Sequence, residues 1–242
     1  MTQIRSIGFF ICFFLWSVIM NLAFLPMLAV DKIWIVRGQT IWTNGIIFLL
    51  RHICDLRIEI RGEENLPHGA ALIACKHQSA FETMIFHSIT RDPAVIIKKE
   101  LLNIPVYGWY CRKTQMIAVD RKGQAAALKS MLAQSAQALK DNRPIIIFPE
   151  GTRAAVDSDL PFQPGIAALY SKLKRPVTPV ALNTGLFWPR KSFLCRPGKM
   201  VIEFLPPIDA GLDRKVFMTE LKSRIEEGTA KLVAEGREEY LI

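Results

Sequence analysis

The chain has 242 residues, half of them hydrophobic, and a formal net charge of +9. Its length suits one good-sized domain plus an appendage, and its five cysteines, odd in number and without a C-x-x-C pair, exclude a disulfide framework or a cysteine metal site. The basic surplus calls for an anionic partner: phospholipid headgroups, phosphorylated substrates or nucleic acid.

The first element explains the high apolar content. From Ile7 to Val30, "IGFFICFFLWSVIMNLAFLPMLAV" carries no charge. A cleaved signal would have a shorter apolar region and an A-x-A-like site, so the run reads as an uncleaved membrane anchor, a transmembrane helix over about 7–30. A second patch, "IWTNGIIFLL" (41–50), is too short to span; it predicts an interfacial helix over about 40–53 or the return half of a hairpin. Trp34 and Trp42 suit a headgroup layer. With an anchor in place, a membrane is the better partner than nucleic acid. The aromatic and basic segment "LFWPRKSFLCRPGK" (186–199) fits an anionic lipid surface on the same ground.

Beyond residue 55 the pattern alternates strands and helices. "DLRIEIRG" (55–62), "AALIAC" (70–75), "AVIIK" (94–98), "MIAVDR" (116–121), "PIIIF" (144–148), "VTPVALN" (177–183) and "KMVIEFL" (199–205) read as strands. Helices are expected over about 80–89, 124–140, 165–174 and 213–234. This order predicts an α/β domain over 55–242, with a mixed, largely parallel sheet flanked by helices, behind an anchor over 1–54.

Three features fall where such strands end, the usual place for sites. His77 and Glu82 in "KHQSAFET" are five residues apart, which on a helix would separate them by roughly 140°. If Ser79 caps a helix starting at Ala80, the bend folds the imidazole toward the carboxylate, and the pair reads as a base and its orienting group. Read otherwise, Ser79 and Glu82 only cap the helix and His77 is an ordinary loop residue. "FPEGTR" (148–153) places Glu150, Thr152 and Arg153 on a Pro/Gly turn, as either an anion site or a polar loop with a surface ion pair. Arg121 also ends a strand, so that Arg121 and Arg153 are candidates to clamp a phosphate. The four histidines lack metal-ligand spacing.

Taken together and in order, His77 with Glu82, "QMIAVDR" with Arg121, "FPEGTR" and "VTPVALN" resemble the motifs of the 1-acylglycerol-3-phosphate (lysophosphatidate) acyltransferase family of the glycerolipid acyltransferases. The resemblance covers roughly residues 55–210. Glu82 stands where the family has aspartate, and Gln115 where its second motif has glycine. The resemblance implies transfer of an acyl group from acyl-CoA or acyl-carrier protein to the sn-2 hydroxyl of lysophosphatidate, making phosphatidate. His77 would be the general base oriented by Glu82, Arg121 and Arg153 the phosphate ligands, and Glu150 a contact to the acceptor's glycerol. Gly151 and Thr152 would supply an oxyanion or loop role, with Ser79 as helix cap. No metal, cofactor or nucleic acid is implied. The acceptor and donor place the site on the cytoplasmic side of the membrane, at its interface. Glycerol-3-phosphate, lyso-ornithine lipid or another lysolipid are alternative acceptors, and a non-catalytic lipid-binding protein is the reading outside the class.

Overall fold

The computed structural model describes residues 2–240. Seven strands, β1 (Leu56–Arg61), β2 (Leu72–Cys75), β3 (Ala94–Lys98), β4 (Ile117–Val119), β5 (Ile145–Ile147), β6 (Val177–Leu182) and β7 (Gly198–Phe204), form one sheet. Their order is β1-β7-β6-β2-β5-β3-β4, and every neighbouring pair is parallel except β6–β7. The mixed, largely parallel sheet expected from the sequence is present. β2, β5 and β6 are buried at every position, which is why they read as unbroken apolar runs instead of alternating ones. Because β2 to β6 all point the same way, their carboxyl ends meet along one edge of the sheet.

Helices cover both faces. α1 (Thr2–Ala23), α2 (Lys32–Cys54), α3 (Glu82–Ile89) and α4 (Tyr107–Lys113) lie on one side; α5 (Gln124–Lys140), α6 (Pro164–Leu173) and α8 (Arg214–Tyr240) lie on the other. α7 (Thr184–Phe187) is a single turn after β6. The pleat sorts β2 accordingly: Ile73 packs with Ile46, Leu50 and Phe86, whereas Leu72 and Ala74 pack with Met131, Ile166 and Phe217. Phe9 of α1 belongs to the first of these cores and is fully buried, a contribution of roughly 1.5–3 kcal/mol for such a side chain.

The N-terminal segment is a helical hairpin, with boundaries that differ from the expected ones. α1 ends at Ala23 because Pro26 cannot continue the ladder; a 3-10 turn over Leu25–Ala29 replaces the expected last turns to Val30. α2 begins at Lys32, well before residue 40, with the Asp31 carboxylate accepting the Ile33 N–H at 2.8 Å. Both helices are long and apolar enough to cross a membrane. α2 is nevertheless tied to the domain at both ends, by an ion pair from Lys32 to Asp92 at 3.0 Å and by Cys54, buried where the helix turns into β1. The outward apolar stripe therefore belongs mainly to α1, where Ile4, Ile7, Ile11, Phe14, Val18 and Leu22 are exposed at helical spacing.

Trp42, expected from the sequence to suit a headgroup layer, is hydrogen-bonded within the hairpin. Its indole N–H donates to Ser17 Oγ, and Trp16 donates to the Trp42 carbonyl, both at 3.0 Å, so these two rings lock the hairpin interior. Trp34 is the half-exposed one, with the Arg37 guanidinium 4.8 Å from its ring centre. The helices can approach this closely because Gly45 faces Trp16; a Cβ there would lie 2.3 Å from the indole nitrogen. Gly45→Leu is expected to destabilise the hairpin by about 1–3 kcal/mol through overpacking. Thermal unfolding in detergent, followed by tryptophan fluorescence, checks this, with Gly45→Ala giving a smaller loss.

Candidate active site

The turn after β2 gathers the chemistry. His77 Nδ1 lies 2.9 Å from Glu82 Oε1, and the same oxygen accepts the N–H groups of Gln78 and Ser79, each at 2.5 Å. Thr184 at the start of α7 donates to the other oxygen at 3.0 Å. Four donors surround a carboxylate that has no exposure to water, as a buried charge requires. A carboxylate accepts, so the ring nitrogen that faces it, Nδ1, is the donor of the pair. Phe148 stacks on the imidazole with ring centres 4.3 Å apart and fixes its plane.

The five-residue gap is thus bridged by a bend. α3 begins at Glu82, two residues after the expected Ala80, and Phe81 at its cap position offers no side-chain bond. Of the expected capping box, Glu82 supplies its half by accepting the Ser79 N–H. Ser79 Oγ accepts from Phe81 at 3.3 Å, which tightens the turn instead of capping the assigned helix.

The "FPEGTR" turn after β5 packs against this loop, with the Ala154 N–H donating to the His77 carbonyl at 2.7 Å. Gly151 has φ +67, a left-handed conformation that suits glycine, and its N–H donates to the Phe148 carbonyl at 2.9 Å. That N–H is committed to the turn, a loop role, which was one of the two expected for Gly151. Thr152 is exposed on the same turn. Glu150 differs from the expected exposed turn residue. Its side chain is fully buried and pairs with Lys76 at 3.2 Å, so it faces inward instead of standing on the exposed turn. Burial pushes its carboxyl above the usual range while Lys76 pulls it back. Lys76 in turn holds Glu226 of α8 through both oxygens, at 2.7 and 2.8 Å. Arg121, just past β4, donates to the Gly151 carbonyl, and Arg153 is exposed on the turn. The two guanidinium-bearing residues therefore flank one turn, beside His77.

Lys76, Phe148, Thr184 and Glu226 are site residues whose roles sequence reasoning missed. A readable signal existed for Lys76 alone: a lysine closing a buried apolar strand needs a carboxylate partner. Gln115, in the place of the second motif's glycine, adopts φ +54. The loop therefore keeps a glycine-like backbone, held by Arg143 donating to the Thr114 and Gln115 carbonyls at 2.7 and 3.3 Å.

An apolar cavity of about 350 Å³ starts beside this loop at Ala80 and Thr83. It runs between α3 and the hairpin, past Trp42, Tyr110 and Met116, and Phe24 also lines it. His87 lines it too, with Nδ1 lacking a hydrogen-bond partner. Burial, with Arg143 adding to it, lowers the His87 pKa to about 4.

Residues 57–183 match the family described as Acyltransferase. The chain is similar to the 1-acyl-sn-glycerol-3-phosphate acyltransferase of Pseudomonas aeruginosa, at 34% identity over 80% of this chain and 76% of the relative. It is also similar to the protein of the same name from Limnanthes alba, at 31% identity over 72% of this chain and 59% of that one. Among solved structures it is similar to the crystal structure of the 1-acyl-sn-glycerophosphate (LPA) acyltransferase of Thermotoga maritima. The TM-score is 0.77 at 22% identity, covering 96% of this chain and 98% of that chain, a likeness of fold.

Two stability predictions follow from the buried charges. Lys76→Met leaves Glu150 buried without its cation and is expected to cost about 3–5 kcal/mol, with Lys76→Met/Glu150→Gln recovering more than half. Denaturant unfolding of both variants in detergent tests the pair. His87 takes up a proton near pH 6.5 when unfolded but only near pH 4 when folded. The unfolded state binds more protons between those values, so stability should fall as pH drops from 6.5 to 4, by up to about 3 kcal/mol. In His87→Leu that part of the slope should vanish.

Proposed function

The chain belongs to the lysophosphatidate acyltransferase family of the glycerolipid acyltransferases, and from that membership we propose that it acylates the sn-2 hydroxyl of 1-acylglycerol-3-phosphate, making phosphatidate for phospholipid synthesis. The observation that carries this reading is the 2.9 Å contact between His77 and a fully buried, ionisable Glu82. Binding a lipid needs no base, whereas deprotonating a hydroxyl does.

In the proposed reaction the donor is a thioester of CoA or of a carrier protein. Nε2 of His77 takes the proton as the acceptor oxygen attacks the thioester carbonyl. Glu82 stabilises the imidazolium that forms. The tetrahedral intermediate then expels the thiolate, which takes up the proton from the imidazolium, and His77 returns to its starting state. Arg121 and Arg153 hold the acceptor's phosphate, since a guanidinium presents a planar fork to such a group. Glu150 serves the reaction indirectly, by fixing the turn beneath Arg153. The apolar cavity beside Ala80 and Thr83 is a place for an acyl chain next to the base.

We further propose that the exposed stripe of α1 enters the cytoplasmic leaflet. The acceptor, a lipid with one chain, would then reach His77 without leaving the interface, while the donor arrives from the aqueous side. α2 stays on the domain and sets the depth.

The test is acyl transfer by the purified protein in detergent, with labelled acyl-CoA or acyl-carrier protein, to lysophosphatidate, glycerol-3-phosphate and lyso-ornithine lipid. Lysophosphatidate should be acylated fastest; no transfer to any acceptor from either donor rejects the enzyme reading. His77→Ala should lower kcat roughly 10²–10⁴-fold, and Glu82→Gln by a comparable factor because it no longer fixes the tautomer. Near-normal turnover in His77→Ala would remove the base assignment.

A further inference from the structure

The His77 loop has a second cavity against it, which shares no lining residue with the apolar one. It measures about 590 Å³ and shares the wall formed by Gln78, whose carboxamide accepts the Gly185 N–H at 3.1 Å. Three arginines line it. Arg237 is neutralised by Asp157 through two bonds, at 2.6 and 3.0 Å, and closes one rim. Arg190 and Arg196 have no carboxylate partner among the described residues. Each is instead held by a backbone carbonyl: Arg190 donates to the Arg153 carbonyl, and Arg196 to the Leu186 carbonyl at 2.8 Å. Guanidiniums fixed in this way by one N–H have their rotamer freedom already reduced and their other N–H groups free for an anion. The rest of the lining is apolar or small: Ala154, Ala155, Val156, Leu186 and Pro189.

The position of this cavity narrows the ligand. A thioester donor has a hydrocarbon chain on one side of its reacting carbonyl and a phosphorylated pantetheine arm on the other. Around the His77 loop the apolar cavity begins at Ala80 and Thr83, and the basic one at Gln78. Trp188 lines the apolar cavity and Leu186 the basic one, so the segment following β6 divides them. Neither Arg121 nor Arg153 lines the basic cavity, which leaves those two for the acceptor's phosphate. The volume also exceeds what a single phosphate needs and falls within the range of pockets that enclose ligands of cofactor size. We propose that Arg190 and Arg196 bind the phosphates of the donor's phosphopantetheine arm in this cavity, and so hold the thioester carbonyl over His77. The assignment rests on the acyl-transfer reading above and names the donor side of that same site. It also gives a role to the basic and aromatic segment 186–199, of which Phe193 stays on the surface against Phe10.

The experiment measures steady-state transfer to lysophosphatidate by the full chain in detergent, with one acyl group carried on CoA, on carrier protein or on unphosphorylated pantetheine. In Arg190→Gln/Arg196→Gln the KM for acyl-CoA should rise at least tenfold while the KM for lysophosphatidate stays within twofold. The loss should shrink to less than twofold with acyl-pantetheine, which has no phosphate to bind. A loss shared by CoA and carrier-protein donors assigns the arginines to the phosphodiester of the arm; a loss confined to CoA assigns them to the phosphates of its nucleotide end. Equal losses with all three donors, or a raised KM for lysophosphatidate, overturn the proposal. Unfolding midpoints, and Arg190→Gln alone, separate these effects from misfolding. Calorimetric titration with CoA and with holo carrier protein supplies a readout independent of turnover. Arginine-dependent binding without any acyl transfer would retain the site and reject the reaction; turnover by a protein that binds neither probe would do the reverse.

Discussion

A carboxylate without access to water is the constraint around which the site is arranged. Removing such a group from solvent costs several kcal/mol, and only a complete set of donors and a cation or polarised ring nearby offsets it. Glu82 meets that requirement with the His77 ring, the two N–H groups of Gln78 and Ser79, and the Thr184 hydroxyl. These donors come from the exit of β2 and from the exit of β6. One side chain thus fastens two adjacent strand ends and holds the His77 ring. Its place in the first turn of α3 adds the positive end of the helix dipole. Aspartate there would have one methylene less with which to span the same distances, so a longer side chain goes with this turn.

A second layer supports the first. Lys76 sits between Glu150 and Glu226, and the stacked Phe148 and His77 rings join the two motif loops. Different solvents then surround the reacting group. Toward the hairpin the walls are apolar; toward the segment after β6 they carry guanidiniums. Under the proposed function, that division would orient an amphiphilic substrate, because burying either end in the wrong cavity is costly.

Much of this was legible in the sequence, and the exceptions share a cause. β3 and α5 have the bounds their patterns suggested, because "AVIIK" and the alanine-rich run are bounded by clear breaks. Three motif features fell at strand ends, which marked the right edge of the sheet. Local pattern was silent wherever a residue's role depends on a partner far along the chain. Thr184 meets Glu82 across 102 positions and Lys76 meets Glu226 across 150. Glu150 looked like an exposed turn carboxylate until the packing put Lys76 beside it. Gln115 shows the opposite case: it stands where the motif has glycine, yet the backbone has a left-handed turn, held by Arg143. The hairpin was misjudged at its boundaries because hydropathy reports composition, whereas Pro26 and the Asp31 cap decide where the helices stop and start.

The reach of Glu226 back to Lys76 has a consequence for the order in which the chain is made. Domains assemble as the chain emerges amino end first. The apolar hairpin is made before the sheet it packs against. The loop bearing His77 follows, but its lysine waits for a carboxylate on the last helix, more than a hundred residues later. The loop that holds His77 is therefore complete only once residue 226 has been added, well after the hairpin that precedes it in the chain.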